Sequence, residues 1–130
     1  MPILNVKVSG HASPKRSQDI AHMLSLHTQN ILHKKPELIA ITITYLDPEH
    51  WIVGGQTLFA QNKSSIYLDI KVTDETNTKD EKAAYIQAVF NSFETLLGDL
   101  HPESYIYVQD VRATAYGYGG LTQEHRYQHA

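Results

Sequence analysis

One pattern is written twice along these 130 residues: an alternating apolar strand, an amphipathic helix, a second alternating strand, then an aromatic residue leading into Gly-Gly. The first copy opens with the strand Pro2 to Val8. Ser13-Pro14 then supplies an N-cap followed by proline at the first helical position. The predicted helix runs to about His33, with Ile20, Met23, Leu24, His27 and Ile31 spaced by three and four on one face. His33-Lys34-Lys35 places positive charge at the helix end, and Pro36 stops it. Residues 38–46 alternate and are rich in β-branched side chains, which predicts a strand. After the turn at Asp47-Pro48 comes Trp51-Ile52-Val53-Gly54-Gly55, and residues 56–64 read as a polar loop.

The second copy repeats each step. Ile66, Leu68, Ile70 and Val72 fall on one face of a strand over 65–72, with Tyr67, Asp69 and Lys71 on the other. Thr78-Lys79-Asp80-Glu81 is a capping box. It opens a helix with Ile86, Val89, Phe90, Phe93 and Leu97 on one side, ending at Gly98. A fourth strand covers about Ser104 to Asp110, and Tyr116-Gly117-Tyr118-Gly119-Gly120 stands where Trp51 to Gly55 stood before. Leu121 to Ala130 is polar and reads as an extended arm.

Strand, helix, strand with short joints is a βαβ unit, whose two strands run parallel with a right-handed crossover. Two such units without a linker (about 2–60 and 65–123) predict one α+β domain spanning 1–130. Its four-stranded sheet would carry both helices on one face, so that both apolar stripes enter one core. The opposite face would present Tyr67, Lys71, Tyr105 and Tyr107, too aromatic for simple solvation, and is expected to meet another subunit.

The net charge of -3 argues against a nucleic-acid partner. With no cysteine, thiolate chemistry and disulfides are excluded. No apolar run is long enough to span a membrane, and the start lacks the pattern of a signal peptide, so a cytoplasmic protein is expected. The eight histidines are scattered, and none forms a His-x-x-x-His or His-Glu-x-x-His pair within a predicted helix. No metal and no cofactor are expected.

Met1-Pro2 stands directly before the first strand. A small second residue normally permits removal of the initiator Met, which would leave Pro2 with a free secondary amine. Desolvation or nearby positive charge would disfavour its protonated form, and a base poised near neutral pH suits enolisation. The plainer reading of Met-Pro is a common chain start without a role. If Met1 is retained, the Pro2 nitrogen is an amide and cannot act as a base.

A double βαβ chain beginning Met-Pro and punctuated by aromatic-x-x-Gly-Gly resembles the tautomerase superfamily. The likeness reaches to about Gln123. Pro2-Ile3 is similar to the family start. Ile39-Ala40-Ile41-Thr42 and Val53-Gly54-Gly55 resemble the second strand and Gly-Gly turn of macrophage migration inhibitory factor. Tyr105-Ile106-Tyr107 through Asp110 to Gly117 is similar to its last strand. His50-Trp51-Ile52-Val53-Gly54-Gly55 resembles the ending of 4-oxalocrotonate tautomerase.

The resemblance implies a fused monomer that assembles as a homotrimer, with pockets at subunit boundaries and Pro2 as the catalytic base. It places Lys34 where a lysine binds the substrate carboxylate, and Tyr105 where a tyrosine reaches the neighbouring subunit's pocket. Tyr107 stands where relatives carry Asn, and Lys71 stands near a pocket position on the third strand. Ala40 stands where 4-oxalocrotonate tautomerase has a substrate-binding arginine. The paired arginines and water-activating acid of the related dehalogenases have no counterpart. Lys34, Lys71 and Arg112 thus compete for the substrate's carboxylate. The implied activity is keto–enol tautomerisation of a small 2-hydroxy-dienoate or enolpyruvate-type acid. A lyase on the same fold, decarboxylating or hydrating, and a non-catalytic trimeric binding protein are the alternatives.

Overall fold

The computed structural model describes residues 2–130; Met1, whose removal the Pro2 reading requires, lies outside the described residues. The elements follow as β1 (Ile3–Ser9), α1 (Pro14–Asn30), β2 (Ala40–Leu46), β3 (Ile52–Val53), β4 (Gln56–Thr57), α2 (Leu58–Gln61), β5 (Ile66–Thr73), α3 (Lys79–Leu97), β6 (Tyr105–Val111), β7 (Gly117–Tyr118), β8 (Leu121–Thr122) and α4 (Gln123–Gln128). The capping signals act as the sequence proposes. Ser13 Oγ accepts from the Arg16 amide. Thr78 and Glu81 close their box in both directions, and Gly98 ends α3 with φ of 72°.

The sheet order is β2-β1-β5-β6. Each βαβ unit supplies a parallel pair, β1 with β2 and β5 with β6, and the two units join through antiparallel β1 and β5. The two halves are thus related by a pseudo-twofold axis between the central strands. Alternation sends Leu4, Val6, Val8, Ile66, Leu68, Ile70 and Val72 to one face, all buried beneath α1 and α3. Each such side chain contributes on the order of 1.5–3 kcal/mol by leaving water. The other face carries the grid Ile3-Lys71-Gln109, Asn5-Asp69-Tyr107 and Lys7-Tyr67-Tyr105, with Ala40, Thr42 and Thr44 completing its rows on β2. Within the single chain that face is open: Tyr105 is 61% and Tyr107 56% exposed.

The structure corrects several sequence expectations. The polar loop at 56–64 contains β4 and the short helix α2, whose Leu58 is buried, and β4 pairs with β3 as a hairpin. The predicted arm from Leu121 is instead strand β8 followed by helix α4. Helix α1 ends at Asn30, and His33 adopts a left-handed turn with φ of 59°. On α3 the fully buried residues are Tyr85, Val89 and Phe93, four apart, while Ile86 is exposed. Tyr85 takes the deep position because its hydroxyl finds a partner there, Thr28 Oγ1 at 2.9 Å. One residue earlier on α1, His27 Nε2 meets Ser92 Oγ at 2.8 Å, and burial pushes the imidazole below its ordinary pKa.

Two outcomes follow from the α1–α3 seam. Tyr85→Phe leaves the Thr28 hydroxyl buried without its partner and should cost about 1–2 kcal/mol in urea unfolding. Adding Thr28→Val should restore most of that loss. His27 resists protonation in the fold, so the unfolded chain binds more protons once pH falls below the ordinary value of 6.5. Stability should therefore drop between about pH 7.5 and about pH 5.5. The drop should be smaller in His27→Gln, as read from urea midpoints at the two pH values.

Candidate active site

Pro2 is buried where the chain enters β1, at the edge of the core. Its carbonyl accepts from the Ala40 amide at 3.3 Å, which extends the β1–β2 ladder back to residue 2. A cavity of about 560 Å³ opens beside it. Ile3, Leu38, Ile39 and Ala40 make an apolar wall, the exposed Glu37 lines it as well, and Tyr116, Gly117 and Tyr118 form the roof. The roof is the β7–β8 hairpin, turned by Gly119 and Gly120 at φ of 62° and 81°. The Tyr116 hydroxyl bonds Thr73 Oγ1 at the end of β5, tying roof to sheet. Burial pushes the Tyr116 phenol above its ordinary pKa.

A second chamber of about 500 Å³ adjoins the first, sharing Leu38 and Tyr118 with it. Lys34 enters it from the segment after α1, and its Nζ donates to Thr76 Oγ1 at 3.0 Å. Burial lowers the pKa of Lys34, with Glu81 and Asp110 pulling the other way. Arg126 enters from α4. Its guanidinium lies 3.8 Å from the Tyr118 ring centroid, and Nη2 donates to the Tyr118 carbonyl at 2.9 Å. Arg126 Nε and Gln123 Oε1 are buried with no hydrogen-bond partner among the described residues.

The other sequence candidates lie elsewhere. Lys71 is cross-strand from Ile3, but on the open face, where Nζ bonds Asp69 Oδ1 at 2.9 Å. Tyr107 faces Asp69 in the middle row of the same grid. Tyr105 pairs with Tyr67 beside Lys7, four residues or roughly 13 Å along β1 from Ile3. Its hydroxyl donates to Glu103 Oε2 at 2.7 Å, and that carboxylate pushes the phenol's pKa up. Arg112 is exposed in the turn after β6 and lines neither chamber. Within one chain, then, Pro2 and Lys34 come together at the β7–β8 hairpin, and Tyr105, Tyr107, Lys71 and Arg112 do not join them.

The pseudo-twofold produces a counterpart cleft at the opposite end of the sheet, lined by Trp51, Ile66, Tyr67, Glu103 and Tyr105, among others. Ile66 there opens its apolar strand as Pro2 opens the first, and its nitrogen is an internal amide.

Arg126 and Tyr118 were not among the sequence candidates, because the tail reads as a polar arm. A signal was present. Gly54-Gly55-Gln56-Thr57 and Gly119-Gly120-Leu121-Thr122 share the pattern Gly-Gly-x-Thr, and each threonine caps the helix that follows it. The same helix brings its His125 against the C-cap residue His129, four apart in sequence, with rings stacked at 4.1 Å. Among the described residues, no three His, Cys, Asp or Glu side chains gather as a metal site. No helix among them is long and apolar enough to cross a membrane.

No family model matches the sequence, and no curated protein matches it. Solved structures do match over nearly the whole chain. Native fused 4-OT superposes with a TM-score of 0.79 at 19% identity, covering 95% of this chain and 97% of that one. Pt0534 inactivated by 2-oxo-3-pentynoate gives 0.81 at 14%, covering 95% and 98%. The macrophage migration inhibitory factor-like protein of Entamoeba histolytica gives 0.76 at 16%, covering 93% and 97%. At these identities the likeness establishes the fold: this chain has the tautomerase-superfamily fold, in its fused, double-βαβ form.

The roof admits no side chain at Gly117, where a Cβ would run into the Leu121 carbonyl across the hairpin. Gly117→Ala should pry β7 from β8 while leaving the four-stranded sheet intact. Hydrogen exchange should show lost protection confined to about residues 116–128 (the hairpin and the helix it carries).

Proposed function

We propose that the protein is a tautomerase-type isomerase in which Pro2, freed by removal of Met1, moves a proton within a small enolic acid. The observation that carries the reading is the burial of Pro2 beside an apolar cavity, with a cationic chamber alongside. A secondary amine in that place is held toward its neutral, basic form by desolvation, and Lys34 and Arg126 add repulsion against a second positive charge. The neutral nitrogen takes the proton of the enol hydroxyl as the O–H bond breaks and the carbonyl forms. The C=C electron pair then takes that proton from the prolinium at the distal carbon, so the substrate gains a C–H bond and Pro2 returns to its starting state.

The fold neighbours include fused 4-OT described as a symmetric trimer and as an asymmetric trimer. A homotrimer is the assembly proposed here. It would use the open sheet face, bringing Tyr105 and Tyr107 toward a neighbouring chain's Pro2 cavity. There a phenol hydroxyl is suited to stabilise the enolate oxygen. Lys71 and Arg112 would then act, if at all, across that subunit boundary.

Pro2→Ala should lower turnover of phenylenolpyruvate by roughly 10²- to 10⁴-fold with an unchanged circular-dichroism spectrum. 2-Oxo-3-pentynoate, the inactivator of one fold neighbour, should label the wild-type chain once. The Pro2 nitrogen would add across its alkyne, and the mass gained would be that of the whole molecule, mapped to the N-terminal peptide. Near wild-type turnover in Pro2→Ala, or a label mapped elsewhere, would sink the assignment.

A further inference from the structure

We infer that Arg126, on the C-terminal helix α4, is the residue that binds the substrate's carboxylate beside the Pro2 cavity. This rests on reading that cavity as the reacting site, and it answers which cation the anion meets. Of the three cations the sequence offered, Lys71 is paired with Asp69 on the open face, and Arg112 lines neither chamber. Lys34 does line the cationic chamber, but its ammonium is tied to Thr76 and stands in the field of Glu81 and Asp110.

Arg126 is held by no side-chain acceptor. It forms no ion pair with a described carboxylate. Its guanidinium leans on the Tyr118 ring and carbonyl, and its Nε is buried with no partner. A half-buried cation with no counter-charge is costly to the free protein and gains most from an arriving anion. A planar guanidinium also offers the fork that a carboxylate matches, which an ammonium does not. The hairpin is shaped around this side chain: a Cβ at Gly119 would lie 2.9 Å from Arg126 Nη2. Tyr118 lines both chambers, with the apolar cavity before it and Arg126 against its ring. The ligand that fits is an acid whose apolar body fills the Pro2 cavity and whose carboxylate reaches past Tyr118. Arg126 is then a specificity residue, selecting acids over their neutral analogues.

The test uses a non-reacting pair of probes, 3-phenylpropanoate and its neutral amide, titrated calorimetrically into the full chain. Wild type should prefer the carboxylate. Arg126→Gln should weaken carboxylate binding about tenfold or more and leave amide binding unchanged. Arg126→Lys keeps the charge and the stem over Tyr118 but not the fork, and should fall between the two. Lys34→Met should lose less than Arg126→Gln. The assignment is overturned by equal binding of both probes to wild type, by undiminished carboxylate binding in Arg126→Gln, by parallel loss of the amide, or by a larger loss in Lys34→Met. Turnover of phenylenolpyruvate reads Pro2 separately. Absent turnover with an Arg126-dependent carboxylate preference removes the Pro2 reading and keeps this one. Turnover whose KM ignores Arg126→Gln does the reverse.

Discussion

The pairing of β1 with a neighbour on each side is the constraint on which the rest depends. Here β1 is parallel to β2 and antiparallel to β5, so its backbone groups are taken on both flanks and its inward side chains are covered by two helices. That double engagement carries residue 2 into the margin of the core. A proline there loses water on most sides, which an edge strand could not impose on it. The chemical character proposed for Pro2 is in this sense a property of strand order.

The sheet also separates two requirements that conflict at close range. A basic amine wants an apolar surrounding. An acidic substrate wants cations. The structure meets both by placing Tyr118 between an aliphatic cavity and a charged chamber. In the proposed reading the cations of the second chamber draw the anion, while aliphatic side chains, Tyr116 and Glu37 line the cavity beside Pro2.

Most of the scaffold was legible in the sequence because its signals are local. Ser13-Pro14 and Thr78 to Glu81 announce helix starts within four residues, and the alternation from Ile66 to Val72 fixes which side of β5 is buried. The failures came where a distant partner decides. Tyr85 outranks Ile86 for the core because Thr28, on another helix, satisfies its hydroxyl. Residues 121–130 look like a solvated arm until the Gly-Gly hairpin folds them over the start of β1. Arg126 could not be found from its neighbours in sequence, since what gives it meaning is the ring and carbonyl of Tyr118. For the site itself, Pro2 and Lys34 were legible as candidates through resemblance, whereas the ion pair between Lys71 and Asp69 was not.

The cavity takes its floor from residue 2 and its roof from residues 116–118. These segments come from opposite ends of the double βαβ pattern. Between them in the sequence lie all the strands of the four-stranded sheet and both long helices. A nascent or C-terminally clipped polypeptide could hold much of the hydrophobic core and still have no site at all. An exposed proline amine on such a fragment would face water, where it is ordinarily protonated and idle. The β7–β8 hairpin is thus as much a condition of the cavity as the sheet beneath it.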